Sequence, residues 1–222
     1  MLLQSKVRLD RQKRLALSLC LNAIDFRPAS CYLQVIALLD VTMNAAPATN
    51  LTLFDFQGAT RSTAWKRVND DVIGGVSTSQ FELSREGFAV FSGTIRLDHH
   101  GGFASAHSKS PLPGNFGGLT GFIVRVRGDG RQYRFTARAG LTFDVPLYQC
   151  QFATTPGVWE EVRLPLENFV AAFRGRVLTD VPPLNPAELG SVGFLTSDRE
   201  AGPFHLEIAW IKALIGSPLN RS

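Results

Sequence analysis

The side chains that could do chemistry in this 222-residue chain are gathered in a few short runs. Asp70 and Asp71 stand in the run VNDDVIGGVS, residues 68–77, and Asp129 stands between Gly128 and Gly130. Such carboxylates could serve general acid/base work or, with loop carbonyls, a calcium ion. Each lies beside turn-forming glycine or asparagine, where aspartate ordinarily bonds its own backbone, and that is the reading we adopt. His99, His100 and His107, with Asp98, are the only dense set of metal-capable donors. Adjacent residues of a strand point to opposite faces, so this spacing does not make a zinc site, and no metal is expected. Ser77 follows Gly-Gly-Val rather than sitting in a G-x-S-x-G elbow. Cys150 has no basic neighbour in sequence to lower its pKa and reads as a small core residue. Gly128-Asp129-Gly130 lacks the third glycine and the helix of a dinucleotide loop. The amides of Gly74 and Gly75 could form a small anion nest, although a bare turn accounts for them as well. No nucleophile–base pair emerges, so the expectation is a protein that is not an enzyme and needs no cofactor.

The elements around these runs alternate with a period of two. Residues 51–56 (LTLFDF) read as an edge strand. Gly74-Gly75, between branched residues, predicts a two-residue hairpin loop with Asn69 and Asp70 tying its base. Residues 79–83 and 88–95 predict a second hairpin across 84–87. Residues 119–127 place Phe122, Val124 and Val126 on one face. Residues 131–139 place Tyr133, Phe135 and Ala137 inward, and the pair predicts a third hairpin through Gly128-Asp129-Gly130. Residues 166–173 are compatible with a short helical turn. Asn185-Pro186 reads as the cap and first position of a one-turn helix. Strands close the chain at 190–196 and 203–213. About ten to twelve short strands, with turn signals between them and no long helix, predict an all-β fold, an antiparallel β-sandwich or barrel.

Composition agrees. Hydrophobic residues make up 45% of the chain, enough for a full core, and the 16 phenylalanines fall mostly in alternating segments. The formal charge of +4 is uneven. Residues 1–50 hold six basic and three acidic side chains, which leaves 17 basic and 16 acidic for 51–222. A nearly neutral domain argues against a nucleic-acid partner. The local series Arg125, Arg127, Arg131, Arg134 and Arg138 reads as a solvated strand face. Of the three cysteines only Cys150 falls in the domain, which suits a reducing compartment. Residues 1–50 lack an apolar run long enough to span a membrane, and neither a secretory nor a mitochondrial signal fits them cleanly. We read them as a disordered or over-long leader with Met43 a candidate start, followed by a sandwich domain at 51–216 and a tail at 217–222.

Taken in order, several blocks resemble the complex I intermediate-associated protein family. They are Trp65 with VNDDVIGGVS, GGFAS at 101–105, VRGDGRQY at 126–133, YQCQF at 148–152, W-x-x-V-x-L-P at 159–165, FRGR at 173–176 and GPFHLEI at 202–208. His99 and His100 stand where the family usually has asparagines, His107 where arginine is common, and Asp71 where glycine is common. The resemblance implies a galactose-binding-like jelly roll. It also implies an assembly factor, chaperone-like, that docks protein subunits of a larger, membrane-associated complex, respiratory NADH:ubiquinone oxidoreductase. Its signature positions here are Trp65, Asn69, Asp70, Gly74, Gly75, Ser77, Asp129, Arg131, Tyr133, Trp159 and Arg174. The same fold often carries sugars at its loop end, so a carbohydrate-binding module is the alternative, with Trp159 or Tyr133 beside Asp129 as the platform. The expected location is the cytoplasm of a bacterium, or the mitochondrion if the source is eukaryotic.

Overall fold

A computed structural model describes residues 49–57, 65–109, 112, 114–142 and 144–216, so the expectations for residues 1–48 and 217–222 lie outside it, while Thr49 and Asn50, expected in the leader, already belong to the first strand. The strands are β1 (Thr49–Asp55), β2 (Trp65–Asn69), β3 (Thr78–Leu83), β4 (Ala89–Ile95), β5 (Ala104–Ser108), β6 (Leu119–Gly128) and β7 (Gln132–Ala139). They continue as β8 (Leu147–Ala153), β9 (Trp159–Pro165), β10 (Val170–Phe173), β11 (Arg176–Val177), β12 (Leu189–Thr196) and β13 (Gly202–Ile215). One sheet runs β3-β4-β13-β6-β9, with β1 also on β13. The other runs β11-β10-β8-β7-β12-β5-β2, and every strand pairing in both sheets is antiparallel. The expected all-β sandwich is therefore the architecture.

The core lies between the two sheets and is built from the alternating positions read in the sequence. Phe122, Val124 and Val126 of β6 are fully buried, as are Tyr133 and Phe135 of β7. Phe122 meets Phe135 across the core with ring centroids 4.9 Å apart. Trp65 of β2 stacks on Phe81 of β3 at 4.4 Å, which ties the edge of one sheet to the edge of the other. Fully burying an aromatic of this size contributes roughly 1.5–3 kcal/mol, so these bridging pairs bear much of the sheet-to-sheet adhesion.

Two expected hairpins are absent. β6 and β7 belong to different sheets: β6 pairs with β13 and β9, and β7 with β12 and β8. Alternation decides which face of a strand is buried but not which strand lies beside it, and an arch over the core buries the same residues as a hairpin. Asp129 fixes the arch, because its carboxylate reaches across to the backbone N–H of His205 on β13 at 2.8 Å. Nor does Gly74-Gly75 close a hairpin. The chain leaves β2 in one sheet, makes a 3-10 turn at Asp70–Ile73 and enters β3 in the other. Of the pair only Gly74 has positive φ, at 88°. The β3–β4 hairpin, by contrast, forms as expected. The Asn185 cap forms too, its side-chain oxygen accepting from the N–H of Ala187 at 3.1 Å. Residues 166–173 divide into a 3-10 turn at Leu166–Asn168 followed by β10.

His107 on β5 is buried, and its Nε2 lies 3.0 Å from the Ser105 hydroxyl. Burial first, and then the positive Arg138 and Lys66, push its pKa down from 6.5 to about 3. The ring is therefore neutral in the fold while an unfolded chain would protonate it. Its contribution is complete above pH 6.5 and is lost as the pH falls toward 3. We expect wild-type stability to fall, through this group, by up to about 1.4 kcal/mol per pH unit below 6.5. Urea titrations at a series of pH values should show that His107→Gln lacks this share of the slope.

Candidate functional site

Strand direction brings one set of connections to a single end of the sandwich: residues 70–77, 96–103, 129–131, 154–158 and 197–201. Most of the signature positions sit there, and the geometry shows what each does.

Asp70 is the centre. It is fully buried, and its carboxylate accepts from the Ser77 N–H at 2.9 Å, the Ser77 hydroxyl at 2.5 Å, the Gly102 N–H at 2.6 Å and the Phe103 N–H at 3.4 Å. Burial by itself would raise its pKa, but these bonds from Ser77, Gly102 and Phe103 outweigh it and hold the carboxyl below its usual value of 3.8. Ser77 has one hydroxyl hydrogen, which it donates to Asp70. Its oxygen then accepts from the N–H of Arg96 at 2.9 Å. One carboxylate thus joins the β2–β3 loop to the β4–β5 loop, residues 32 and 33 positions apart along the chain.

The glycines make room for it. A Cβ on Gly75 would lie 2.4 Å from Asp70 Cγ, and one on Gly101 would lie 2.5 Å from Asp70 Oδ2. Gly75 is required by space and Gly74 by its left-handed backbone, two separate reasons that an adjacent Gly-Gly pair does not distinguish in sequence. Asn69 adds a link to β3 by accepting from the Ser79 hydroxyl.

Asp129, Arg131 and Tyr133 form a second knot at the same end. The Asp129 carboxylate accepts from the Arg131 N–H at 3.1 Å and from the Tyr133 hydroxyl at 3.0 Å, besides His205. Burial, and then the negative Asp129, hold the Tyr133 phenol far above its usual range, so it stays protonated. The Arg131 guanidinium is buried against Asp198 in a two-toothed pair at 3.0 and 3.3 Å. It also donates to the carbonyls of Pro203 at 2.7 Å, Gly202 at 3.3 Å and Glu200. Residues 198, 200, 202 and 203 are thus laced to the start of β7 through this one side chain, and Arg134 of β7 adds a bond to the Ser197 hydroxyl.

The remaining signature positions lie elsewhere. Trp65 is buried in the core. Trp159 lies on the outer face of the β3-β4-β13-β6-β9 sheet, with the guanidinium carbons of Arg127 and Arg125 at 5.0 and 5.9 Å from its ring centroid. Arg127 is also paired with Glu207, and Arg125 with Glu161 at 3.3 Å, so this face is a self-neutralised ladder. Arg174 stands on the β10–β11 turn with φ 48° and its guanidinium 5.2 Å from the centre of the Phe173 ring. Tyr133 is fully buried and offers no face to a sugar, and the cations beside Trp159 occupy the surroundings of its ring. Among the described residues no group of three or more His, Cys, Asp or Glu side chains is placed to hold a metal ion. The Cys150 thiol is buried and pushed up by that burial.

Sequence reading missed the solvent side of this end. Val72, Ile73, Val76 and Leu97 are 67%, 59%, 44% and 46% exposed. The branched Val72, Ile73 and Val76 about Gly-Gly read as the flanks of a hairpin, which hid the fact that they face outward, and Leu97 fell beyond the expected strand at 88–95. Asp198 and the carbonyls around Arg131 were also invisible, since they are more than 60 residues away in sequence.

Comparison with known proteins agrees with the signature blocks. The family model for complex I intermediate-associated protein 30 matches residues 54–208. The mouse mitochondrial protein of that name is 29% identical over 166 residues, which is 66% of this chain and 51% of the mouse protein. The Neurospora crassa mitochondrial protein is 30% identical over 135 residues, 54% of this chain and 49% of that protein. The chain thus spans about half the length of the curated relatives it matches. Among solved structures, the family 11 carbohydrate-binding module of the Clostridium thermocellum cellulase Lic26A-Cel5E superposes with a TM-score of 0.56 at 15% identity. It covers 80% of this chain and all of that module, a likeness of fold.

If Asp70 and its glycines hold the loop end, substitutions there should act on stability. Asp70→Asn leaves donors facing an amide and should cost about 3 kcal/mol at neutral pH. Because the native carboxyl titrates below 3.8, that deficit should shrink as the pH is lowered through its native value. Gly74→Ala meets open space but a left-handed backbone and should cost about 1–2 kcal/mol. Gly75→Ala displaces the carboxylate and should cost more than Gly74→Ala. Thermal and urea unfolding of the three variants checks the order.

Proposed function

The chain belongs to the complex I intermediate-associated protein 30 family, and we propose that it acts as a non-catalytic, protein-binding assembly module for respiratory NADH:ubiquinone oxidoreductase. The relatives' names, which speak of association with complex I intermediates, support the partner class. The observation that carries the reading is how the loop end uses its polar groups. Asp70, Asp129 and Arg131, the side chains best suited to acid/base or electrostatic work, are each committed to holding one loop against another. A general acid or base must reach a substrate proton, and a carboxylate already accepting four bonds in a buried knot is poorly placed to do so. What this end offers outward is a set of aliphatic side chains on a rigid support, which suits docking. For a eukaryotic source the reading includes a mitochondrial location, in line with the relatives' names.

The test is gentle extraction of the tagged full chain from its own host. Subunits of NADH:ubiquinone oxidoreductase should co-purify in amounts that survive washing. Recovery of the chain as a lone monomer, from cells actively assembling that complex, would contradict the reading.

A further inference from the structure

Resting on that protein-binding reading, we propose that Val72, Ile73, Val76 and Leu97 form the docking surface, and that its occupant is an apolar protein segment bordered by a basic residue. That is the chemistry of the end of a membrane-protein helix not yet enclosed by its neighbours.

Single exposed aliphatics are ordinary on a protein surface, but these four are not scattered. Val72 and Ile73 stand on the 3-10 turn, whose backbone is closed by bonds from the Gly74 N–H to the Asp71 carbonyl at 3.1 Å and from the Gly75 N–H to the Asp70 carbonyl at 2.8 Å. Val76 and Leu97 are the chain neighbours of Ser77 and Arg96, which are bonded to each other, so the two loops that carry these exposed aliphatics are joined beside them. The Asp70 carboxylate underneath fixes both loops, and the surface is organised before any partner arrives. Less ordering is then needed on binding, and more of the burial appears as affinity.

The charges choose among occupants. Arg96 pairs with Asp98 at 3.0 Å and cancels. Arg67, the nearest other cation along the chain, directs its guanidinium to the Ser79 carbonyl on β3. Asp71 is exposed, lies inside the turn next to Val72, and makes no ion pair among the described residues. This carboxylate would repel an anionic bilayer, whereas surface-binding tips combine apolar residues with Lys and Arg. A protein segment whose apolar stretch ends in Lys or Arg matches both features at once.

The experiment uses the full chain and two short Leu/Ala peptides that differ only at the end, Lys-Lys or Glu-Glu, with phosphatidylglycerol vesicles as the third probe. The Lys-ended peptide should bind better, by about threefold, the scale of one exposed ion pair. Ile73→Ser should weaken its binding by about tenfold or more at unchanged thermal midpoint, because the side chain is exposed in the free protein. Asp71→Lys should reverse the preference toward the Glu-ended peptide. Peptide binding indifferent to Ile73→Ser, equal binding of both peptides by the wild type, or vesicle binding that depends on Ile73 would each overturn the proposal. If Ile73→Ser still co-purifies with the oxidoreductase subunits at wild-type level, this surface is wrong while the assembly reading stands.

Discussion

One buried carboxylate sets the geometry of one whole end of the molecule. Asp70 carries a charge into a site with no solvent contact, and such a charge is tolerable only when hydrogen bonds replace its water. Here the donors come from Ser77 and from the Gly102 and Phe103 backbone, so meeting the demand of the charge draws two distant loops onto one point. The close approach then dictates its neighbours. Gly75 and Gly101 can carry no Cβ, and Ser77 must supply both an N–H and a hydroxyl. A run of residues that looks like a binding motif in the sequence is in the structure a mutual packing condition among its members.

Asp129 and Arg131 repeat the principle on the other side of the same end. A carboxylate whose acceptors are filled by Arg131, Tyr133 and His205 holds the arch from β6 to β7, and Arg131 in turn holds the segment before β13. Both knots join segments that enter different sheets. The loops are consequently part of the rigid sandwich and not appendages to it, which is the condition for a surface that binds through shape and apolar area. The alternative of a loop-end sugar platform finds no support from the aromatics proposed for it, since Tyr133 is inside and Trp159 is flanked by arginines on a sheet face.

Fold class was legible because alternation reports burial directly. Phe122, Val124 and Val126, or Tyr133, Phe135 and Ala137, need no partner information to be placed inward. Pairing was not legible where an arch and a hairpin bury the same faces, and so the β6–β7 and Gly74-Gly75 hairpins were mistaken. The site was partly legible. Its members stood out as blocks shared with a family, but Asp70 and Asn69 were expected to tie the base of a local hairpin, whereas Asp70 is bonded to residues 7, 32 and 33 positions away and Asn69 to Ser79 on β3. The reason lay beyond sequence reach, because the donors to Asp70 include backbone groups of residues 102 and 103, which have no side-chain signal. The outward aliphatics were hidden by the opposite failure, since Val72 and Ile73 carry a signal that normally means a buried strand.

Bonded in this way, the loop end should be held as firmly as the core. Amide hydrogen exchange of the native chain, resolved at Ser77 and Gly102, measures it directly. Both amides donate to Asp70, so they should exchange as slowly as amides in the middle of β13, opening only with global unfolding. Exchange at the rate of an exposed loop, while β13 remains protected, would show that the knot opens independently and that the surface above it is not preformed.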